Sequence, residues 1–266
     1  MIFIKILIAG KGGTGKTSVA AALSLILSDL GYYVIALDTD SVPNLAQSLG
    51  IPYEEASKIV PLVRNDDFVL ERTGARPGST WGAIFKLNPR VDDIAEKYGL
   101  KIKENLRLVV VGSINASRQG CLCPAIALAR RFLKHSLTRK EHVVIVDSEA
   151  GAEVFGRGLA ENFNLMLVVC EPTVKSLRIG HEMIRMGKEL GIEKSIVIIN
   201  KVADKEAAQK LADSIIGDRI QTFIVRFDQK LPEIEYKGLG LDQLPQDSLF
   251  LSDLRSLVEN FILNQP

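Results

Sequence analysis

Gly10-Lys11-Gly12-Gly13-Thr14-Gly15-Lys16-Thr17 places two ammonium groups, two hydroxyls and four glycines within eight residues. Such a stretch is suited to gripping a polyphosphate. Where no Cβ intervenes, successive backbone N–H groups converge on phosphate oxygens, and a helix N-terminus behind them adds a partial positive charge. In this spacing Gly12, Gly13, Thr14 and Gly15 supply the cradle. Lys16 would neutralise the β/γ-phosphates, Thr17 would ligate Mg2+, and Ser18 would touch the α-phosphate. A glycine-rich turn that binds nothing is the competing reading, and it leaves the full G-x-x-x-x-G-K-T spacing unexplained.

A second constellation is Cys121-Leu122-Cys123-Pro124. Ala125 to His135 has a helical pattern, so the cysteines stand just before a helix with proline at its first position. That placement lowers a thiol pKa and favours the thiolate. Soft thiolates suit zinc, nickel, Cu(I) or iron–sulfur centres. Two ligands per chain leave a tetrahedral site half complete, whereas two chains about a two-fold axis supply four. Small cap residues and a local redox pair are the other readings. One intervening residue would strain an intrachain disulfide. Cys170, ending an apolar strand, reads as a buried small hydrophobe.

The elements that position these groups follow from hydrophobic patterning. Residues 2–9 form an apolar run that predicts a buried strand, and Ser18 to Leu30 predicts a helix, so the glycines fall at a strand-to-helix turn. Further strands are predicted at Tyr33–Leu37, Leu106–Val111, Val143–Val146, Leu165–Val169, Ser195–Ile199 and Ile220–Val225, with helices at Val174–Leu190 and Lys205–Ile216. Strands apolar on both faces, alternating with helices, make an α/β fold: a mostly parallel central sheet with helices on both faces. Ligands belong at the carboxyl ends of its strands. Between Asn44 and Asn105 the pattern breaks into short pieces around Pro52, Pro61, Pro77 and Pro89, an elaboration beside the nucleotide site.

Composition sets the outer bounds. The 266 residues are 47% apolar, with no linker or repeat, and are read as one domain spanning 1–266. A formal net charge of +1 gives no general attraction to nucleic acid or acidic lipid. The densest basic stretch, Arg130, Arg131, Lys134, Arg139 and Lys140, reads as a solvated helix face and its exit. No apolar run approaches the roughly 18 residues of a membrane span, no leader is evident, and three cysteines fit a reducing compartment. A cytoplasmic protein is expected. Leu251, Leu254, Leu257, Val258, Phe261 and Ile262 give a C-terminal helix one apolar face, but its polar side lacks a Lys/Arg excess. That helix is expected to dock on its own core.

Lys11 makes the phosphate loop unusual. K-G-G-T-G-K-T resembles the deviant Walker A of the MinD, ParA and nitrogenase iron protein superfamily, in which the first lysine reaches the partner's nucleotide across a symmetric dimer. The resemblance assigns catalytic roles to Lys11, Lys16 and Asp40, the last in Asp38-Thr39-Asp40 as the switch I aspartate that orients the attacking water. Asp38 could support the metal or bond a loop. Val143 to Asp147 matches a strand ending in the Mg2+ aspartate, held through water. Asp147-Ser148-Glu149-Ala150-Gly151 resembles switch II, with the Gly151 amide meeting the γ-phosphate. Asn200-Lys201 resembles the base-recognition site, Asn200 facing adenine. GTPases place an aspartate three positions after that asparagine, where this chain has Ala203, so ATP is favoured. Arg226-Phe227-Asp228 ends the next strand and could line the base pocket.

The resemblance then narrows. Gly120-Cys121-Leu122-Cys123-Pro124, Asp147 to Glu153 with Gly156-Arg157-Gly158, and Val169-Cys170-Glu171-Pro172-Thr173 together resemble the CooC family. These are accessory ATPases for nickel insertion into carbon monoxide dehydrogenase. Membership implies an ATP- and Mg2+-dependent homodimer, nickel or zinc on Cys121 and Cys123 at its interface, and carbon monoxide dehydrogenase or a related metalloenzyme as client. Neither nucleic acid nor membrane is expected as a partner. Ser41-Val42-Pro43-Asn44 departs from the small residues expected after the switch I aspartate. The rival readings are an iron–sulfur reductase like the nitrogenase iron protein and a MinD/ParA-like positioning ATPase.

Overall fold

The computed structural model describes residues 4–40, 42–75, 91, 93–112, 128–129, 131–132, 142–149 and 163–263. The described strands are β1 (Ile4–Gly10), β2 (Tyr33–Asp38), β3 (Leu100–Lys103), β4 (Leu106–Val110), β5 (His142–Asp147), β6 (Leu165–Cys170), β7 (Ser195–Val202) and β8 (Gln221–Arg226). They make one sheet in the order β3-β4-β2-β5-β1-β6-β7-β8. Neighbouring strands run parallel throughout except for the β3–β4 hairpin at one edge. The expected mostly parallel α/β architecture is therefore what the chain adopts.

Alternation along each strand sends side chains to two separate cores. Ile6 and Ile8 of β1 join Val34 and Ala36 of β2 on one face, while Leu7 and Ala9 join Ile35 and Leu37 on the other. On the first face lies α1 (Lys16–Asp29), whose Ala20-Ala21-Ala22 run is buried and brings the helix close to the sheet. Beside it packs the C-terminal α9 (Leu249–Leu257) with the π-helical turn Val258–Ile262. Leu251, Leu254, Leu257, Val258 and Ile262 are buried in the same core as α1, so this helix is docked on its own protein as expected. Each such leucine contributes about 1.5–3 kcal/mol relative to exposure. The opposite face carries α6 (Val174–Glu189) and α7 (Lys205–Ile216), which bury Leu177, Met183, Ala208, Ala212 and Ile216.

The described part of the proline-bearing elaboration comprises α2 (Leu45–Ser48), α3 (Tyr53–Ala56), α4 (Asp66–Thr73), α5 (Ile94–Tyr98) and β3. Pro52 and Pro61 immediately precede helical turns, where a missing N–H is harmless. Asn65 caps α4 by accepting from the Phe68 N–H at 3.0 Å. The patterning above predicts no strand at 100–103. Lys101 and Lys103 there suit a sheet edge by discouraging further pairing. Finally, α8 (Lys230–Tyr236) follows β8 and leads into α9.

Parallel strands bring their carboxyl ends to one edge: Gly10, Asp38, Asp147, Cys170, Val202 and Arg226. From β1 the chain winds to one side through β2, then crosses from β5 to β6 on the other. β1 is thus the switch point, and the phosphate loop extends from it.

Burial of one charged residue carries a cost. Lys5 of β1 is buried with its ammonium 5.8 Å from the Phe163 ring centroid, and burial lowers its pKa from 10.5 to about 8. A lysine with a folded-state pKa below its unfolded one costs most below the lower value, and that cost fades as pH rises between the two. Lys5→Met should therefore raise stability at pH 7 by on the order of 2–3 kcal/mol. The gain should shrink towards pH 10. Urea titrations at pH 7 and 9.5 check this, and a variant less stable than wild type at pH 7 would refute it.

Candidate functional site

The phosphate loop is shaped by its surroundings. Gly10 has φ 152°, and a Cβ there would lie 2.4 Å from the Val169 carbonyl oxygen. Gly15 has φ 95° and caps α1 with no side-chain bond, which leaves the first helical N–H groups facing the cleft mouth. Thr14 is buried, its hydroxyl donating to the Lys11 carbonyl at 2.9 Å. The Lys16 ammonium reaches the same carbonyl at 3.3 Å and so spans the loop. Burial lowers the pKa of Lys16, opposed by the charges of Asp147 and Asp40. Lys11 gives the loop its carbonyl, but the cleft is lined by Gly12, Gly13, Gly15, Lys16, Thr17, Ser18 and Asp40 without it.

The ends of β1, β2 and β5 are stitched together beneath this loop. Thr39 donates from its N–H and hydroxyl to the Asp147 carbonyl at 3.0 and 2.9 Å, and Ser148 donates from its hydroxyl to the Ile8 carbonyl at 2.7 Å. The Asp38 carboxylate accepts from the N–H groups of Asp40 and Leu45, both at 3.0 Å, so of its two expected roles the structure exhibits the loop hydrogen bond. Burial pushes its pKa up to about 6, against the pull of those N–H groups. Asp40 lines the cleft and accepts from the Val42 N–H at 3.1 Å.

Asp147 stands opposite Asp38 in the β2–β5 register. Burial, followed by the Asp38 charge, pushes its pKa up to about 7, while a hydrogen bond from Thr17 lowers it. Its Oδ1 is buried and has no hydrogen-bond partner among the described residues. An orphaned carboxylate oxygen is expensive unless something completes it. The Thr17 hydroxyl bonds the same carboxylate, a pairing of hard oxygen donors that fits Mg2+.

A bulge in β7 builds the far wall. The β7–β8 register shifts between Ile199 and Val202, and Lys201 takes φ 61°. Asn200 Nδ2 donates to the Thr14 carbonyl at 2.8 Å, and Lys201 Nζ donates to the Gly13 carbonyl at 2.6 Å and to Glu171 Oε1 at 2.8 Å. Both residues therefore contact the phosphate loop while also lining the cleft. Arg226, Phe227 and Asp228 line it too, with Leu231, Pro232 and Phe250. The Arg226 guanidinium is held by Asp253 at 2.7 Å, which fixes this wall to α9. Ser18 donates to Glu235 Oε1 at 3.3 Å across the mouth. The cleft encloses about 390 Å3, within the range of small-molecule sites.

Cys121, Cys123 and Gly151 lie outside the described residues. Among the described residues no group of three or more His, Cys, Asp or Glu side chains is placed to hold a metal ion. Cys170 is buried, its thiol pushed up to about 12 by burial, as suits a core residue. Glu171 and Glu235 bond Lys201 and Ser18, and the sequence alone assigns neither of them a role. Glu171 directly follows an apolar strand, which puts it on the ligand edge, and Glu235 carries no local signal.

A family model described as the CobQ/CobB/MinD/ParA nucleotide binding domain matches residues 5–241. An uncharacterised ATP-binding protein of Methanocaldococcus jannaschii is 43% identical over 237 residues, covering 88% of this chain and 90% of that protein. The carbon monoxide dehydrogenase accessory protein CooC of Rhodospirillum rubrum is 40% identical over 241 residues, covering 89% of each. The septum site-determining protein MinD of Pyrococcus horikoshii, solved with Mg-ADP, superposes with a TM-score of 0.67 at 20% identity over 98% of each chain. A ParA family ATPase of Chlorobium tepidum gives 0.68 at 15% identity, covering 96% of this chain and 98% of that one. At those identities the structural likeness is one of fold. No helix among the described residues is long and apolar enough to cross a membrane.

Proposed function

This chain belongs to the CobQ/CobB/MinD/ParA nucleotide-binding family, and on that premise we propose that it is an ATP-hydrolysing accessory factor of the CooC type. Its client is carbon monoxide dehydrogenase or a related metalloenzyme, to which it supports nickel insertion. The observation that carries the reading is the orphaned Asp147 oxygen beside Thr17 and Lys16 at the foot of the phosphate loop, in a chain 40% identical to CooC.

In this proposal Gly12, Gly13, Thr14 and Gly15 present backbone N–H groups to the phosphates, the Thr14 N–H and Lys16 leaving the Lys11 carbonyl to do so, Lys16 for the β/γ-phosphates, and Ser18 turns from Glu235 to the α-phosphate. Thr17 and Asp147 hold Mg2+, the latter through water. When bound, that ion neutralises charge on the phosphoryl oxygens. Asp40 orients the attacking water, and the Gly151 amide registers the γ-phosphate. Asn200 faces the base end beside Arg226, Phe227 and Asp228, with Lys201 next to it in the cleft lining. Lys11 acts on the partner's nucleotide in a homodimer formed with ATP, which brings Cys121 and Cys123 of two chains together around nickel or zinc. Metal affinity and nucleotide occupancy are then reciprocally coupled. The apolar face of α9 is spent on its own core, which weighs against a membrane-positioning role.

Cys121→Ser/Cys123→Ser tests the metal arm. With Mg2+ and a non-hydrolysable ATP analogue, wild type should hold about one nickel or zinc ion per two chains. The variant should retain less than about a tenth of that while its ATP affinity stays within about 2-fold. Metal analysis after gel filtration, paired with calorimetry, reads both quantities. Unchanged metal content in the variant would defeat this part of the proposal.

A further inference from the structure

We infer that Glu171 and Lys201 are a positioning pair that shapes the phosphate-binding loop from behind, Lys201 anchoring a loop carbonyl and Glu171 fixing the anchor. This rests on the reading of the cleft as a nucleotide site. Such a loop works by turning N–H groups inward, which requires its carbonyls to turn outward. In a planar trans peptide the two point in opposite directions, so fixing one fixes the other. Asn200 takes the Thr14 carbonyl at 2.8 Å and Lys201 takes the Gly13 carbonyl at 2.6 Å. Two successive residues of one strand thereby hold two successive peptides of the loop, Gly13–Thr14, whose N–H also donates to the Lys11 carbonyl at 3.4 Å, and Thr14–Gly15.

The Lys201 ammonium is committed to this task. Besides Gly13 it donates to Glu171 Oε1 at 2.8 Å, so two of its three N–H groups and its charge are satisfied by protein. Among the described residues Lys201 is the one non-glycine with positive φ. That conformation is strained for a residue with a Cβ and persists where the surroundings impose it, typically at functional sites. The bulge that imposes it is what aims Asn200 and Lys201 at the loop together. Glu171 is in turn fixed: its N–H donates to Ser176 Oγ at 2.9 Å and its carbonyl accepts from the Thr173 N–H at 2.7 Å. Without the carboxylate, the ammonium could swing to a phosphate, leaving the Gly13 carbonyl free to rotate inward and repel the ligand.

A double-mutant cycle tests the pair, read by calorimetry with tripolyphosphate, ATP and GTP in the presence of Mg2+. Tripolyphosphate has no base, so it reports on the loop alone. Lys201→Met should weaken tripolyphosphate and ATP alike, by about 10- to 30-fold, with the preference for ATP over GTP unchanged. Lys201→Arg should stay within about 3-fold of wild type, and Glu171→Gln should cost about 3- to 5-fold. In the Lys201→Met background Glu171→Gln should cost nothing more, because it acts through the lysine. Both side chains are partly exposed, 43% for Lys201 and 34% for Glu171, so matching thermal melts will confirm that each variant folds. Unchanged tripolyphosphate binding in Lys201→Met with lost ATP selectivity would make Lys201 a base reader and overturn the inference, as would additive losses in the double variant. Failure of wild type to bind ATP or tripolyphosphate would instead sink the nucleotide-site reading itself.

Discussion

Lys11→Ala should bind ATP nearly as tightly as wild type yet hydrolyse it roughly 10³-fold more slowly, the range lost when a cation acting in trans is removed from phosphoryl transfer. The geometry supplies the reason for separating the two effects. Within its own chain Lys11 contributes a carbonyl, which gathers the Thr14 hydroxyl and the Lys16 ammonium, and any side chain supplies that carbonyl. Its own ammonium is not part of the cleft lining. Mixing gives the decisive measurement. Lys11→Ala and Asp40→Ala should each be nearly inactive alone, but in the proposed dimer, when mixed, the site with intact Asp40 would receive Lys11 from its neighbour. An equimolar mixture should therefore regain a sizeable fraction of wild-type turnover. No recovery, with dimers present by light scattering, would place Lys11 in its own site or nowhere in the chemistry.

Much of this arrangement is legible in the sequence because it depends on local rules. A strand buried on both faces must be apolar at nearly every position, so β1, β5 and β6 announce themselves, and the glycine spacing needs only the strand before it and the helix after it. Lys205–Ile216 is helical over the span its pattern predicts, since Asp204 caps it by accepting from the Ala207 N–H at 3.0 Å. What escapes is set by long-range contact. Leu100-Lys101-Ile102-Lys103 alternates apolar and polar over four residues, too short a run to stand out within a stretch broken by prolines, and it becomes a strand through pairing with β4. Asn200 and Lys201 are legible as site residues, but their grip on the carbonyls of Thr14 and Gly13 arises from a bulge that no local pattern encodes. Glu171 is harder still, because its relevance depends on Lys201, which comes thirty residues later.

Asp147→Asn should separate stability from activity. The wild-type carboxylate is buried, one oxygen has no partner among the described residues, and the Asp38 carboxylate lies nearby; burial, then the Asp38 charge, disfavours ionisation and pushes its pKa up to about 7. An acid whose folded pKa lies above its unfolded value of 3.8 lends stability at low pH that is lost as pH rises through the folded value. At pH 8 the buried charge is therefore a burden, and the neutral amide should remove on the order of 1–3 kcal/mol of it. Thermal melts without nucleotide should accordingly rise for the variant at pH 8, and by less at pH 5, where the unfolded carboxylate is already ionised and only part of the cost has accrued. Turnover should move the other way, falling about 10²–10³-fold, because on the proposed reading the cost is that of an oxygen kept ready for charge it meets only when Mg2+ and nucleotide arrive. Nucleotide should then stabilise the variant less than it stabilises wild type. A variant that melts lower than wild type at pH 8 would make Asp147 a structural carboxylate, and one that retains turnover would remove it from the metal's ligands.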